Sequence, residues 1–257
     1  NFLGTASAGL LGGIAAIPNF RGAYVLSFVG AIVLLWISLR FTEPSQRKKE
    51  DRVNFIAQIF SCFKLLRNTH LLWLSLFAVF MILINHIPYE FYQPYVEELA
   101  KEYSVLKTTP LLTSIHLTIT MLFAAWVASQ SIKIRDRIGT TSTLLSAGGL
   151  QVLMMTIMHF FVNIPAAILT LLRSCPRALM TAPLNAAVAP NVPTSQRATF
   201  LSMQSLFGRL GFSLTLATFG ALSDGEDWGT MSTMLGWGMW VGIAGLILLA
   251  ISAVFNK

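Results

Sequence analysis

Eight long apolar stretches, at about 2–17, 22–40, 71–89, 109–130, 141–162, 164–187, 198–222 and 232–255, take up most of this chain. A hydrocarbon core ~30 Å thick is crossed by a helix of about 20 mostly apolar residues, and each stretch is of that order. Charged residues make up 11% of the chain against 54% hydrophobic, about half the charge of an ordinary soluble domain. In lipid each backbone polar group must find its partner inside the protein, and a helix meets that demand within its own segment. The expected fold class is an all-α polytopic membrane protein with eight transmembrane helices.

The chain opens at Asn1, and no basic region precedes Phe2–Ile17, so that stretch does not read as a signal peptide. It is shorter than its neighbours and is expected to be the end of a longer helix. Cys62 falls in a connector and Cys175 inside an apolar stretch, so no disulfide framework is expected.

The basic residues fall on one side of the expected membrane. The connector 41–70 with its flank carries Arg40, Arg47, Lys48, Lys49, Arg52, Lys64 and Arg67. Two stretches later come Lys133, Arg135 and Arg137, then Arg197, then Lys257. The other side has Arg21, Lys101 and Lys107, set against Glu97, Glu98, Glu102, Asp224, Glu226 and Asp227. Lys and Arg are retained on the cytoplasmic side. The expected placement is therefore a multi-pass protein of the plasma (inner) membrane, with the 42–70 linker and the C-terminus cytoplasmic. The net charge of +7 is mostly this topology signal and does not imply a nucleic-acid partner.

Within that linker, Val53, Ile56, Ile59, Phe60, Phe63 and Leu66 recur at helical spacing among polar residues. An amphipathic helix lying in the cytoplasmic interface is expected. Glu43-Pro44-Ser45-Gln46 ahead of it reads as a breaker, and a boundary between two structural units is placed here.

Two spans, an interfacial linker and six more spans resemble the second part of a major facilitator superfamily transporter, a twelve-helix bundle of two six-helix halves. The resemblance implies that residues 1–41 are helices five and six of the first half, 42–70 the linker and 71–257 the second half. It also implies a partner segment, helices one to four of the same protein. Local motifs carry the likeness. Ser131–Gly139, in the expected connector between helices eight and nine, is similar to the family's Gly-x-x-x-Asp-Arg-x-Gly-Arg signature at Asp136, Arg137 and Gly139, with Ile132 in place of the leading Gly. The resemblance implies a conformational latch, Asp136 facing the positive end of a helix in the opposite half; a polar loop cap is the other reading. Gly4–Gly13 resembles the antiporter signature of helix five, with Ala8 and Gly9 where the second Gly and the Pro would stand. Small residues at this spacing let helices approach closely.

Helix seven ends Asn85-His86-Ile87-Pro88-Tyr89-Glu90-Phe91-Tyr92-Gln93-Pro94-Tyr95. Two prolines among polar and aromatic side chains predict a broken outer third, whose freed backbone and side chains line a wet cavity or external gate. Asn85, His86 and Gln93 are cavity candidates, and the family's Tyr-Tyr-Gln-like run adds Tyr92. An aromatic interface belt is the competing reading. Glu90 is either a protonatable coupling group or a hydrated rim carboxylate. His86 can titrate near neutrality; His116 and His159 are weaker candidates.

Arg173, Arg177 and Arg209 lie inside apolar stretches, Arg173 and Arg209 near mid-bilayer when counted at about 1.5 Å per residue. A guanidinium at that depth costs at least about 2.5–3.5 kcal/mol, so it faces the bundle interior or water. No carboxylate in these stretches lies equally deep, so backbone carbonyls, the missing helices or an anionic ligand are the expected partners. Arg177, nearer the cytoplasmic surface, is a gate candidate.

Secondary active transport of a small solute by alternating access follows, with the proton as a candidate coupling ion and a lean to anionic or zwitterionic substrates. A family member turned receptor or scaffold is the alternative. An intramembrane enzyme is disfavoured, because no Gly-x-Ser-x-Gly, His-Glu-x-x-His or Gly-x-Gly-Asp motif occurs in the stretches. No cofactor and no metal are expected.

Overall fold

The computed structural model describes residues 2–17, 19–42, 55–102, 109–222 and 228–255, which are helical almost throughout. In chain order the helices are α1 (Phe2–Ala16), α2 (Phe20–Ser38), α3 (Phe55–Leu65), α4 (Thr69–Glu90), α5 (Tyr92–Glu102), α6 (Thr109–Ile138), α7 (Thr140–Phe160), α8 (Ile164–Leu169), α9 (Cys175–Val188), α10 (Arg197–Leu222) and α11 (Trp228–Phe255). All eight apolar stretches fall on helices, but the expected count of eight spans is not what length and hydropathy give. Among the described residues five segments are long and apolar enough to cross a membrane: Arg21–Ser38, Thr69–Lys101, Leu111–Ile138, Thr140–Phe160 and Met231–Phe255. α1 has only 15 residues, the 164–187 stretch is interrupted, and α10, with Arg197 and Arg209, is long but less apolar.

Three local expectations are corrected. The outer third of helix seven is not broken. Pro88 lies inside α4, and only Phe91, itself in the right-handed helical region, separates α4 from α5. Proline removes one N–H, which leaves the carbonyl four residues earlier without its helical partner. Here that carbonyl is Ile84, and the side-chain amide of Gln151 on α7 donates to it at 3.3 Å. A neighbouring helix thus supplies the missing donor, as intramembrane prolines require. Second, residues 131–138 are not a connector but the last turns of α6, so Gly139 alone links α6 to α7. Arg and Lys are good helix formers and cost nothing at a wet end. Third, 164–187 is not one helix: α8 tightens into a 3₁₀ turn at Thr170–Leu172 before α9 begins with Pro176 in its first turn.

The core sits where α4 meets α7, α9, α10 and α11. Leu71, Leu74, Phe77, Met81, Ile84 and Ile87 of α4 are each at most 1% exposed. Their spacing of three or four residues makes one continuous helical face. Side-chain hydrogen bonds tie the helices together: Trp73 Nε1 donates to Leu249 O at 3.0 Å, Gln204 Nε2 to Ser75 Oγ at 2.8 Å, and His159 Nδ1 to Ser232 O at 2.7 Å. Such bonds and close packing of small residues hold helices together where lipid offers no hydrophobic driving force. α1 packs on α6, where Thr118 Oγ1 donates to Ala6 O at 3.2 Å and Gly9 lets Leu117 approach. α2 packs mainly on α1, and its apolar side chains, Tyr24, Phe28, Leu34 and Trp36 among them, are exposed.

The linker helix α3 is amphipathic. Cys62 is buried against the core, while Ile56 and Phe60 are exposed. Phe63 meets Phe207 of α10 edge-on at 6.0 Å, and Gln58 Nε2 donates to Ser195 O at 3.1 Å. The Glu43–Gln46 breaker, the basic cluster that follows it and Val53 lie outside the described residues.

Candidate functional site

The site forms at the break between α8 and α9. Pro176 has no N–H for the carbonyl of Leu172, so the chain enters the 3₁₀ turn and Arg173 follows at its end. That geometry turns Arg173 into the wall made by α5 and α6, where the residue is only 6% exposed. Its Nη1 donates to Thr120 Oγ1 at 2.9 Å and to His116 Nδ1 at 3.1 Å. The guanidinium carbon lies 3.7 Å from the centre of the Tyr92 ring, whose own centre is 4.8 Å from that of His116. A cation held over a ring face in a dry setting gains about 2 kcal/mol. On its far edge, His116 Nε2 lies 3.0 Å from Ala167 O and 3.2 Å from Thr170 Oγ1, and Thr170 Oγ1 itself donates to Ala167 O at 2.8 Å.

Among the described residues no carboxylate joins this cluster. The ion pairs among the described residues are Lys101 with Glu97 and Glu98, and Arg135 with Asp136. The partners that Arg173 has among the described residues are neutral side chains of α6 and the Tyr92 ring face, beside the backbone carbonyls, missing helices or anionic ligand expected from the sequence. Thr120 and Thr170 are site residues that sequence reasoning passed over, and His116 was there only a weaker candidate. The available signal was a polar stripe on α6, with Thr113, His116 and Thr120 at helical spacing. The two bonds use Nη1 alone, so they leave the other guanidinium donors uncommitted.

Arg173 also lines a cavity of about 500 Å³ between α1, α4, α6 and α9. Asn85, His86 and Tyr89 face it from α4, Arg177 and Thr181 from α9, and Phe2 and Thr5 from α1. His86 is half-buried, donating from Nδ1 to Ile82 O at 2.6 Å with its ring tilted on Phe212. A smaller cavity of about 300 Å³ shares Thr181 and adds Asn185, Gln204 and Ser205. Arg173, Arg177, Thr181 and Asn185 are spaced four apart, so the polar lining continues along one side of α9.

The remaining candidates stand elsewhere. Glu90 and Gln93 are exposed, and Tyr92 is buried beneath Arg173 with its hydroxyl unpartnered. Arg209 is exposed on α10 and is not brought to Arg173. Arg177 is exposed but lines the cavity. Asp136 is bound to Arg135 of its own helix at 2.6 Å, and Arg137 is exposed. Gly139 caps α7 at φ 84°, ψ 160°, a region essentially confined to glycine. Gly139→Ala is expected to cost about 1–3 kcal/mol, although a Cβ there would meet no atom within 4 Å. A lowered thermal midpoint in detergent is the check, and an unchanged midpoint would show that the connector relaxes freely.

Helices of membrane-crossing length around a polar, arginine-walled cavity define a multi-pass helical membrane protein. A search of curated proteins found no match. The family model described as Major Facilitator Superfamily matches residues 1–216. The chain therefore belongs to the Major Facilitator Superfamily, a family of membrane transporters.

Proposed function

We propose that this chain is part of a secondary active transporter that moves a small anionic or zwitterionic solute by alternating access. The observation that carries the reading is Arg173, a buried guanidinium on the wall of a cavity, with no carboxylate beside it. A cation kept inside a membrane bundle at a cost of at least about 2.5–3.5 kcal/mol marks a ligand or ion path by default. An anion in the cavity supplies the missing charge, with Arg177, Asn85 and His86 within the same space. In this reading residues 1–41 end the first six-helix half, 42–70 link the halves and 71–257 form the second. Helices one to four close the cavity and cover the exposed faces of α1 and α2. The protein lies in the plasma (inner) membrane with the linker and C-terminus cytoplasmic, following the basic-residue bias.

The test is flux into proteoliposomes carrying the full-length protein, with L-lactate, succinate, L-glutamate and tetraethylammonium as probes. Saturable flux of an anion or zwitterion is expected. Flux confined to tetraethylammonium would overturn the substrate class, and no flux of any probe would count against transport itself.

A further inference from the structure

We propose that His116 binds the coupling proton, and that it does so in exchange for its hydrogen bond with Arg173, so that anion binding and proton uptake occur together. The inference rests on the anion-transport reading and names the group that links the substrate to its driving ion.

The partners of His116 determine its protonation. A carbonyl oxygen can only accept, so Nε2, 3.0 Å from Ala167 O, carries a hydrogen. A guanidinium can only donate, so Nδ1, 3.1 Å from Arg173 Nη1, carries a lone pair. The Thr170 hydroxyl spends its hydrogen on Ala167 O and turns a lone pair to Nε2. The imidazole is therefore neutral while Arg173 is docked, with both ring nitrogens engaged. A proton on Nδ1 would set N–H against N–H at that distance and place a second positive charge beside the first. Docked Arg173 and protonated His116 thus exclude one another.

The exclusion has two outcomes, and the cavity distinguishes them. Arg173 already lines the space of about 500 Å³. An anion there draws the guanidinium off His116 and leaves Nδ1 with the Thr120 hydroxyl, 3.4 Å away, as its neighbour and with the nearby cation neutralised. A proton from water then adds to Nδ1 to give the imidazolium, and no other bond changes. Reciprocity requires that a proton on His116 tighten anion binding by the same factor. Among the described residues no other titratable side chain shares a hydrogen bond with Arg173; Tyr89 lines the same cavity, and Glu90 is exposed. Tyr92 faces the imidazole with its ring. On α5, Tyr95 donates to Phe161 O, and Glu97 and Glu98 pair with Lys101. α1 and α8 carry no titratable side chain. On α9, Cys175 is buried and Arg177 is a permanent cation; on α7, His159 is bonded to Ser232. His86 shares the cavity and donates from Nδ1 to Ile82 O, but the hydrogen bonds of Arg173 go to His116 and Thr120 and not to it.

The experiment uses the full-length transporter in weakly buffered detergent solution. L-lactate, with succinate and L-glutamate in parallel, is titrated between pH 5.5 and 8 while affinity and proton uptake are recorded. Wild type is expected to take up close to one proton per bound anion, with Kd rising about tenfold per pH unit in the upper part of the range. His116→Asn keeps an acceptor at the Nδ1 position towards Arg173 without a titratable nitrogen, and is expected to lose both the proton uptake and the slope of Kd against pH. His116→Gln serves if the asparagine variant does not fold. Proton uptake that persists in a folded variant would overturn the assignment to His116 while leaving anion transport intact. Anion binding by wild type without proton uptake would overturn the coupling without use of any variant. Failure of all three probes to bind would instead overturn the anion reading beneath it.

Discussion

Arg173→Met is expected to lower anion flux at least about 100-fold while leaving the fold as stable as before or more so. The two effects separate because the residue contributes little to the fold. Its charge has no carboxylate partner, and its neutral contacts, Thr120 at 2.9 Å, His116 at 3.1 Å and the Tyr92 ring, only partly offset the loss of water. Replacing a buried ion pair with apolar side chains is often neutral or stabilising, and replacing Arg173, whose partners are neutral, likewise strands no opposite charge. What the variant loses is the ligand's partner. Hydrogen bonds to charged groups contribute about 1.5–3 kcal/mol each, and two of them are more than two decades of affinity. Arg173→Lys keeps the charge without the planar fork and is expected to fall between the two. Initial-rate flux in proteoliposomes, set beside the thermal midpoint of the same preparation, checks both halves. A variant that unfolds would make Arg173 a structural brace, and one that transports normally would move the binding site elsewhere in the cavity.

The second large effect is on stability. Gly208→Val is expected to prevent the accumulation of folded protein, and Gly208→Ala to destabilise it by about 1–3 kcal/mol. A Cβ at Gly208 would lie 2.6 Å from both Cβ and Cγ2 of Ile82, well inside the ordinary carbon–carbon separation of about 3.5–4.0 Å. Ile82 cannot swing away, because its Cβ is fixed to the backbone of α4 and its χ1 is stiff. Relief requires α10 to back away from α4, which strains the buried bond of 2.8 Å between Gln204 and Ser75. Ile82→Ala removes the Cγ2 contact but keeps the Cβ at 2.6 Å, so it should restore only part of the loss, the two residues occupying one contact and coupling. Gly211→Ala is the control, because a Cβ there comes no nearer than 3.5 Å, to Leu83 Cδ1. Detergent-solubilised yield and thermal midpoint are the measurements. Equal losses at Gly208 and Gly211 would show that a glycine-specific backbone effect, rather than the clash, is responsible.

The sequence by itself determined the class, the helices and the family. Apolar runs of membrane-crossing length leave helices as the economical way to satisfy the backbone, and every run but 164–187, which is divided between α8 and α9, fell on one. The Asp136–Gly139 motif and the small residues of α1 pointed to the family that the match over residues 1–216 established. Arg173 stood out because an arginine within an apolar run is costly wherever it lies. The tertiary structure alone decided how that cost is met. His116 and Thr120 come to Arg173 from 57 and 53 residues away, and Gln151 reaches Ile84 across 67. Arg209, equal to Arg173 by depth count, is exposed on α10, away from the cavity. Depth can be counted along one helix. Which faces of two helices meet depends on close approaches such as Gly208 on Ile82 and on breaks such as the one ahead of Pro176, and these set the hydrogen-bond partners only once the helices have packed.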